Sequence, residues 1–179
     1  YDETITTAAM SPLFHIAGML MDVNIPIYSR CKTILMTRFD PEAAITAVET
    51  YKINSWYTVA TMNVAILNHP GIEKRDLTSL KMNYATSFGI PVNEQLARDW
   101  KELTNGCVLT ESSYGLSETH TADTFMPEHK IKFGTCGIPT YETEIRILDL
   151  ETGEELPPGE QGEIIIKNRG VFKGYLNRP

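Results

Sequence analysis

The residues of this chain that could do chemistry collect in three short phrases. The first is Ser11-Pro12-Leu13-Phe14-His15-Ile16-Ala17-Gly18. A lone histidine in apolar company is more often structural than functional, so this phrase is weak by itself. The second is Ser113-Tyr114-Gly115-Leu116-Ser117-Glu118-Thr119. An aromatic ring, a glycine, a hydroxyl and a carboxylate fall together there, directly after a run that reads as a strand ending near Thr110. A loop at the carboxyl end of a parallel strand is where α/β proteins hold ligands. A loop of ordinary turn-formers is the competing reading, and the phrase alone leaves both open. The third runs from Gly162-Glu163-Ile164 to Gly170-Val171-Phe172-Lys173-Gly174-Tyr175. Alone it is a strand followed by a glycine-bearing turn, most often a structural feature.

The elements that must position these phrases can be read from periodicity. Thr33 to Met36 reads as a short buried strand. Asp40 caps a helix with Pro41 in its first turn, where a missing N–H costs nothing. Ala44, Ile45, Val48 and Tyr51 recur at helical spacing and predict one buried face. Ser55 to Val59 is aromatic and β-branched, hence a strand. Met62 to Leu67 reads as a short helix ended by Asn68-His69-Pro70-Gly71. The pattern then repeats. Met82 to Thr86 is a strand, and Pro91 opens a helix with Val92, Leu96, Trp100 and Leu103 on one side. Asn105-Gly106 stops it, and Cys107 to Thr110 is the next strand. This alternation predicts an α/β fold, a mainly parallel sheet with crossover helices. Beyond about residue 135 the helix signals cease. Glu144 to Leu148 and Glu163 to Lys167 read as strands separated by turns at Glu151 to Glu154 and Pro157 to Gly159. The expected organisation is an α/β part over residues 1–135, followed by an antiparallel β subdomain segment over 136–179.

Composition narrows the function. The chain has 179 residues, 42% hydrophobic and 22% charged, with a formal net charge of −7. That acidic balance argues against wrapping nucleic acid, though a local nest of backbone N–H groups can still hold one polyanion. Cys31, Cys107 and Cys136 form no zinc or disulfide pattern; they read as small buried hydrophobes in a reducing, cytoplasmic setting. No apolar run reaches membrane-spanning length, and both ends read as cuts in a longer protein. His69 and His129 read as solvated loop histidines, and Trp56 and Trp100 as core.

Taken together and in this order, the three phrases resemble the adenylate-forming superfamily, which includes acyl-CoA synthetases, adenylation domains and luciferases. Its most diagnostic motif is an aromatic, Gly, any residue, Thr or Ser, then Glu, and Tyr114 to Glu118 matches it. Gly134 to Pro139, the turn at Pro157 to Gly159 and Gly162 to Pro179 match the downstream pattern in register. Phe14-His15 followed by Gly18 is similar to the acyl- and aryl-CoA ligase form of the upstream motif. Peptide-synthetase domains usually carry an aspartate there, and a proline where this chain has Leu116. The resemblance implies an AMP-forming acyl-CoA ligase using ATP, Mg2+ and coenzyme A on a small-molecule carboxylic acid. Within it Glu118 would hold Mg2+, and Ser117 would bond the α-phosphate, these two being the catalytic pair. Tyr114 would pack on adenine, with Gly115 and Leu116 alongside, and Gly89-Ile90-Pro91 would line adenine and ribose. His15, Phe88 and Ser113 would bound the acyl and thiol sites. Phe88 and Ser113 depart from usual glycines, which alters that pocket.

The resemblance also implies missing parts. The phosphate loop would lie upstream of Tyr1, the ribose-binding aspartate beyond Pro179, and the domain with the catalytic lysine elsewhere. An isolated chain is therefore expected to be inactive and to self-associate through cut edges. The alternatives are an aryl-CoA ligase, a luciferase-like adenylating enzyme, or a non-catalytic binding module on the same scaffold.

Overall fold

The structure, a computed structural model, describes residues 2–120 and 122–178. Parallel β structure organises it. Strand β1 (Thr6–Ala9) pairs with β2 (Lys32–Leu35), and β3 (Ser55–Val59), β4 (Met82–Thr86) and β5 (Val108–Glu111) form a second parallel sheet in that order. Parallel neighbours require crossovers, and helices supply them. Between β1 and β2 run α1 (Ile16–Gly18), a π-helical segment (Met19–Asn24) and α2 (Ile25–Ser29). Then α3 (Pro41–Tyr51) leads into β3, α4 (Ala60–Leu67) joins β3 to β4, and α5 (Glu94–Leu103) joins β4 to β5. Asn54 ties the two sheets together. Its N–H donates to the Thr6 carbonyl at 3.0 Å, and its side-chain oxygen accepts from the Thr6 N–H at 3.0 Å.

The helix ends follow local chemistry. Asp40 accepts from the Ala43 N–H at 2.9 Å and caps α3, an interaction worth about 1 kcal/mol. Ala44, Ile45 and Val48 are buried as expected, but Tyr51 is 46% exposed. Its ring lies at the end of α3, where Lys52 turns left-handed, and it takes the Lys32 ammonium 5.5 Å from its centroid instead. Helix α5 begins later than Pro91. Asn93 accepts from the Leu96 N–H at 2.9 Å, so the cap sits two residues on and Pro91 stays in the preceding turn.

The core lies between the helices and the sheets. Trp56 and Trp100 are fully buried with ring centroids 6.3 Å apart, packed with Ile45, Ile66, Leu80 and Leu109. A buried polar triad fastens α4 to the sheet. Thr58 donates to Asn63, Asn63 donates to Asn83, and Asn83 donates back to Thr58, all fully buried. A satisfied network of this kind favours one helix position over sliding alternatives.

Three local expectations change. Leu35 in β2 is 72% exposed, because β2 pairs only with β1 among the described residues and is an edge strand. Cys107 is buried and its thiol is pushed up to about 12 by desolvation, but Cys31 and Cys136 are half-exposed. His69 is not solvated: the turn after α4 brings its Nε2 to 3.4 Å from a Glu42 carboxylate oxygen.

Antiparallel structure follows. Strand β6 (Thr124–Phe125) pairs with β7 (Ile138–Pro139), a pair the periodicity did not reveal. Strand β8 (Glu144–Leu148) pairs with β9 (Glu163–Lys167) with the boundaries read from the sequence. No helix among the described residues is long and apolar enough to cross a membrane.

Candidate functional site

Strands β4 and β5 end side by side, at Thr86 and Glu111, and the loops that leave them bound two clefts. The first cleft is about 320 Å³ and is lined by His15, Leu20, Tyr57, Ser113 and Gly115 through Glu118, among others. The second is about 470 Å³ and includes Ser87, Pro91, Glu111, Tyr114 and Cys136 in its lining. Thr86 and Ser113 line both, so the clefts meet at the strand ends.

The upstream phrase forms the first wall. His15 is the cap of α1, and its Nδ1 accepts from the Ala17 N–H at 3.2 Å. The histidine therefore has a structural task and also borders the cleft. Gly18 is required for packing: a Cβ there would stand 2.3 Å from the Pro12 carbonyl oxygen. Leu20 and Met21 carry the wall into the π-helical segment, against Tyr57, whose hydroxyl donates to Thr86 at 2.9 Å. Burial pushes the Tyr57 phenol up, so it stays a neutral donor.

The motif loop forms the opposite wall. Tyr114 is tied down by its N–H donating to the Thr124 hydroxyl at 2.9 Å. Leu116 and Thr119 close a short turn, with the Leu116 N–H donating to the Thr119 hydroxyl oxygen at 3.2 Å. Ser117 and Glu118 sit in that turn facing the first cleft. The Glu118 carboxyl is held below the usual carboxylate range, chiefly by a hydrogen bond from the Tyr175 hydroxyl. Asn24, at the end of the π-helical segment, lies 3.3 Å from the ring of His120 and joins the two walls.

The expected site residues divide between these spaces. His15, Ser113, Gly115, Leu116, Ser117 and Glu118 come together around the first cleft. Tyr114 and Pro91 meet in the second. Gly89 has a φ of +73 and forms the tip of a tight turn in which Phe88 bridges Ile90. Ile90 lies toward a groove between α4 and α5, and Phe88 is 69% exposed and borders neither cleft.

Glu111 is a site residue that sequence reasoning missed. It is nearly buried at the end of β5, and its carboxylate accepts from the N–H and the hydroxyl of Ser87. The Ser87 oxygen in turn accepts from the Val92 N–H at 2.9 Å. One carboxylate thus pins both ends of the turn that carries Gly89 to Pro91. Its only sequence signal was an acid at a strand end, just before the motif.

The donor set suits a magnesium nucleotide. Among the described residues no three metal-binding side chains cluster. Magnesium bound through phosphates keeps several waters and needs only one or two carboxylates. Glu118 offers one, at the mouth of a cleft that is apolar on its far side.

Comparison with known proteins agrees with this geometry. A family model described as AMP-binding enzyme matches residues 2–176. A feruloyl-CoA synthase from Amycolatopsis sp is 34% identical over 186 residues, covering 99% of this chain and 35% of that protein. Among solved structures, a long-chain-fatty-acid-CoA ligase from Archaeoglobus fulgidus superposes with a TM-score of 0.85. It is 26% identical, over 99% of this chain and 37% of that one. ATP-bound MatB from Rhodopseudomonas palustris superposes with a TM-score of 0.79 at 25% identity, over 96% of this chain and 33% of that one. The chain spans about a third of the length of the relatives it matches.

Proposed function

We propose that this chain, which belongs to the family of AMP-binding enzymes, carries the acid and nucleotide clefts of an ATP-dependent CoA ligase. The reaction joins a carboxylate to the α-phosphate of ATP, expelling pyrophosphate, and a thiol then takes the acyl group and releases AMP. The observation that carries the reading is the convergence of His15, Ser117 and Glu118 on one cleft whose far wall is Leu20, Met21 and Tyr57. A ligase of this kind must hold an apolar acid beside a polyanion, and this cleft sets an apolar wall against a hydroxyl and a carboxylate. The adjoining cleft, with Tyr114 and Pro91, offers a flat face for adenine. The names of the relatives, a feruloyl-CoA synthase and a long-chain-fatty-acid-CoA ligase, support a carboxylic acid substrate of aryl or alkyl type. The ATP-bound relative supports the nucleotide.

In this reading each residue has a physical task. Magnesium, when bound, would neutralise the reacting phosphates, and Glu118 would hold it. Ser117 donates to the α-phosphate as charge develops there, the moment at which a preoriented donor contributes most. Tyr57, kept neutral by burial, and Thr86 form a hydrogen-bonded pair on the floor between acid and nucleotide. His15 stands at the acid side of the cleft, with its Nδ1 already committed to capping α1. Coenzyme A enters as the thiol substrate.

The test is carboxylate-dependent pyrophosphate exchange by a protein carrying this chain at the full length of its relatives. Glu118→Gln is expected to lower exchange by roughly a hundredfold or more, as loss of one preorganised electrostatic group does. Near-normal exchange in that variant would remove Glu118 from the metal site.

A further inference from the structure

The segment after β9 does more than follow a strand. It is laid across the motif loop by four separate contacts. The Asn168 amide donates to the Asp123 carboxylate at 2.6 Å, and the other Asp123 oxygen accepts from the Thr119 hydroxyl at 2.5 Å. Asp123 and Thr119 are both buried, so this junction is shielded from water. Gly170 then passes so close that a Cβ there would stand 2.7 Å from the Thr119 carbonyl oxygen. The Phe172 N–H donates to the Glu118 carbonyl at 2.8 Å. Finally the Tyr175 hydroxyl donates to the Glu118 carboxylate. The Phe172 ring sets the Tyr175 ring edge-on, with centroids 4.7 Å apart and planes at 83°.

These contacts grip Glu118 at both its backbone and its side chain, from residues more than fifty positions away in the chain. A glutamate has three rotatable side-chain bonds, and an exposed one samples many rotamers. Here the phenol engages one carboxylate oxygen while the side chain borders the cleft. We infer that Tyr175 is a positioning residue, which holds the Glu118 carboxylate at the cleft mouth in readiness for a magnesium-bearing nucleotide. The inference rests on the function proposed above for Glu118. It assigns Tyr175 no contact with substrate. A hydrogen bond from a neutral phenol fixes the carboxylate without cancelling its charge, as an arginine or lysine in that place would. The Asp123–Asn168 junction, buried on its Asp123 side, holds the segment so that the phenol arrives in the right place.

Two measurements decide it. In the protein at the full length of its relatives, the Mg2+ dependence of pyrophosphate exchange is compared for the natural sequence, Tyr175→Phe, Glu118→Gln and the double variant. Tyr175→Phe is expected to raise the Mg2+ concentration at half-maximal rate by roughly three- to tenfold, the scale of one charge-assisted hydrogen bond at an accessible site. The KM for ATP at saturating Mg2+ should hardly move. In the Glu118→Gln background the same change should have no further effect, since the phenol acts through that carboxylate. An unchanged Mg2+ dependence, or equal losses in both backgrounds, would overturn the inference in favour of a purely structural tyrosine. The second measurement is urea unfolding of the same full-length protein with the natural sequence, Tyr175→Phe, Glu118→Ala and both changes together. The two single losses should be non-additive, because phenol and carboxylate share one hydrogen bond. Strict additivity means that the contact is absent, and overturns the inference. If the natural enzyme shows no exchange, the proposed function has failed, and the unfolding cycle still tests the contact separately.

Discussion

Asp22 carries a carboxyl whose ionisation is opposed by burial. It is buried in the π-helical segment, where it accepts from the Ser11 N–H at 3.1 Å. Desolvation pushes its carboxyl up to about 7, against the two backbone hydrogen bonds that favour the anion. The sign follows from linkage. Between about pH 4 and pH 7 the folded chain keeps a proton on Asp22 that the unfolded chain has lost. Stability therefore falls as pH rises through that window, and the penalty is complete above pH 7. Asp22→Asn keeps an acceptor for Ser11 and removes the charge. Urea unfolding should find the variant more stable than the natural chain at pH 8, with the difference largely gone at pH 4. Equal gaps at both pH values would mean that Asp22 is solvated. The effect reaches the candidate site, because Ser11 opens the phrase that carries His15.

At the scale of elements, the clefts depend on loops held by few groups. The turn from Ser87 to Val92 has Gly89 in a left-handed conformation and keeps its shape through Glu111. Glu111→Ala leaves the Ser87 N–H and hydroxyl without their acceptor. Hydrogen exchange at Ser87 and Val92 should accelerate by about tenfold or more, the scale of one or two lost hydrogen bonds. Amides inside α5 should keep their protection, since Asn93 caps that helix independently. Matching acceleration throughout α5 would show that Glu111 supports the whole helix and not the turn alone.

At the scale of the molecule, the chain presents broad apolar surface. Ile27 and Tyr28 in α2 and Leu35 in β2 are between 72% and 92% exposed, and Tyr141 and Leu150, on either side of β8 in the chain, are 90% and 77% exposed. Patches of this sort favour association, and an unpaired strand edge adds backbone groups that can pair. Sedimentation of the isolated chain is expected to show oligomers growing with concentration. Calorimetry with ATP and Mg2+ is expected to give binding weaker than micromolar, and no acyl-CoA should form. The first cleft offers the Glu118 carboxylate and the Ser117 hydroxyl to a triphosphate, and among the described residues no lysine or arginine borders it. Tight binding with turnover would show that this chain alone assembles the required electrostatics.

Much of this was legible in the sequence, because the relevant forces are local. Asp40 caps the helix that Pro41 opens, since a side-chain oxygen three residues from an N–H needs no distant partner. The strands at Ser55, Met82, Glu144 and Glu163 begin where the apolar pattern places them, since alternation and β-branching act within a few residues. The motif from Tyr114 to Glu118 was recognisable for the same reason: its members are adjacent. Other features needed tertiary structure, because they join residues far apart in the chain. No spacing rule links Tyr175 to Glu118, Glu111 to Ser87, or Asn168 to Asp123. Each pair meets only after strands align and loops cross. The exposure of Phe88 belongs with these. The sequence showed a bulky residue where a glycine is usual, but the direction of a ring is set by the backbone turn around Gly89, in which Phe88 bridges Ile90. Chemistry carried by neighbouring residues was thus fixed before folding, whereas the aim of each side chain into or away from the clefts was decided by long-range packing.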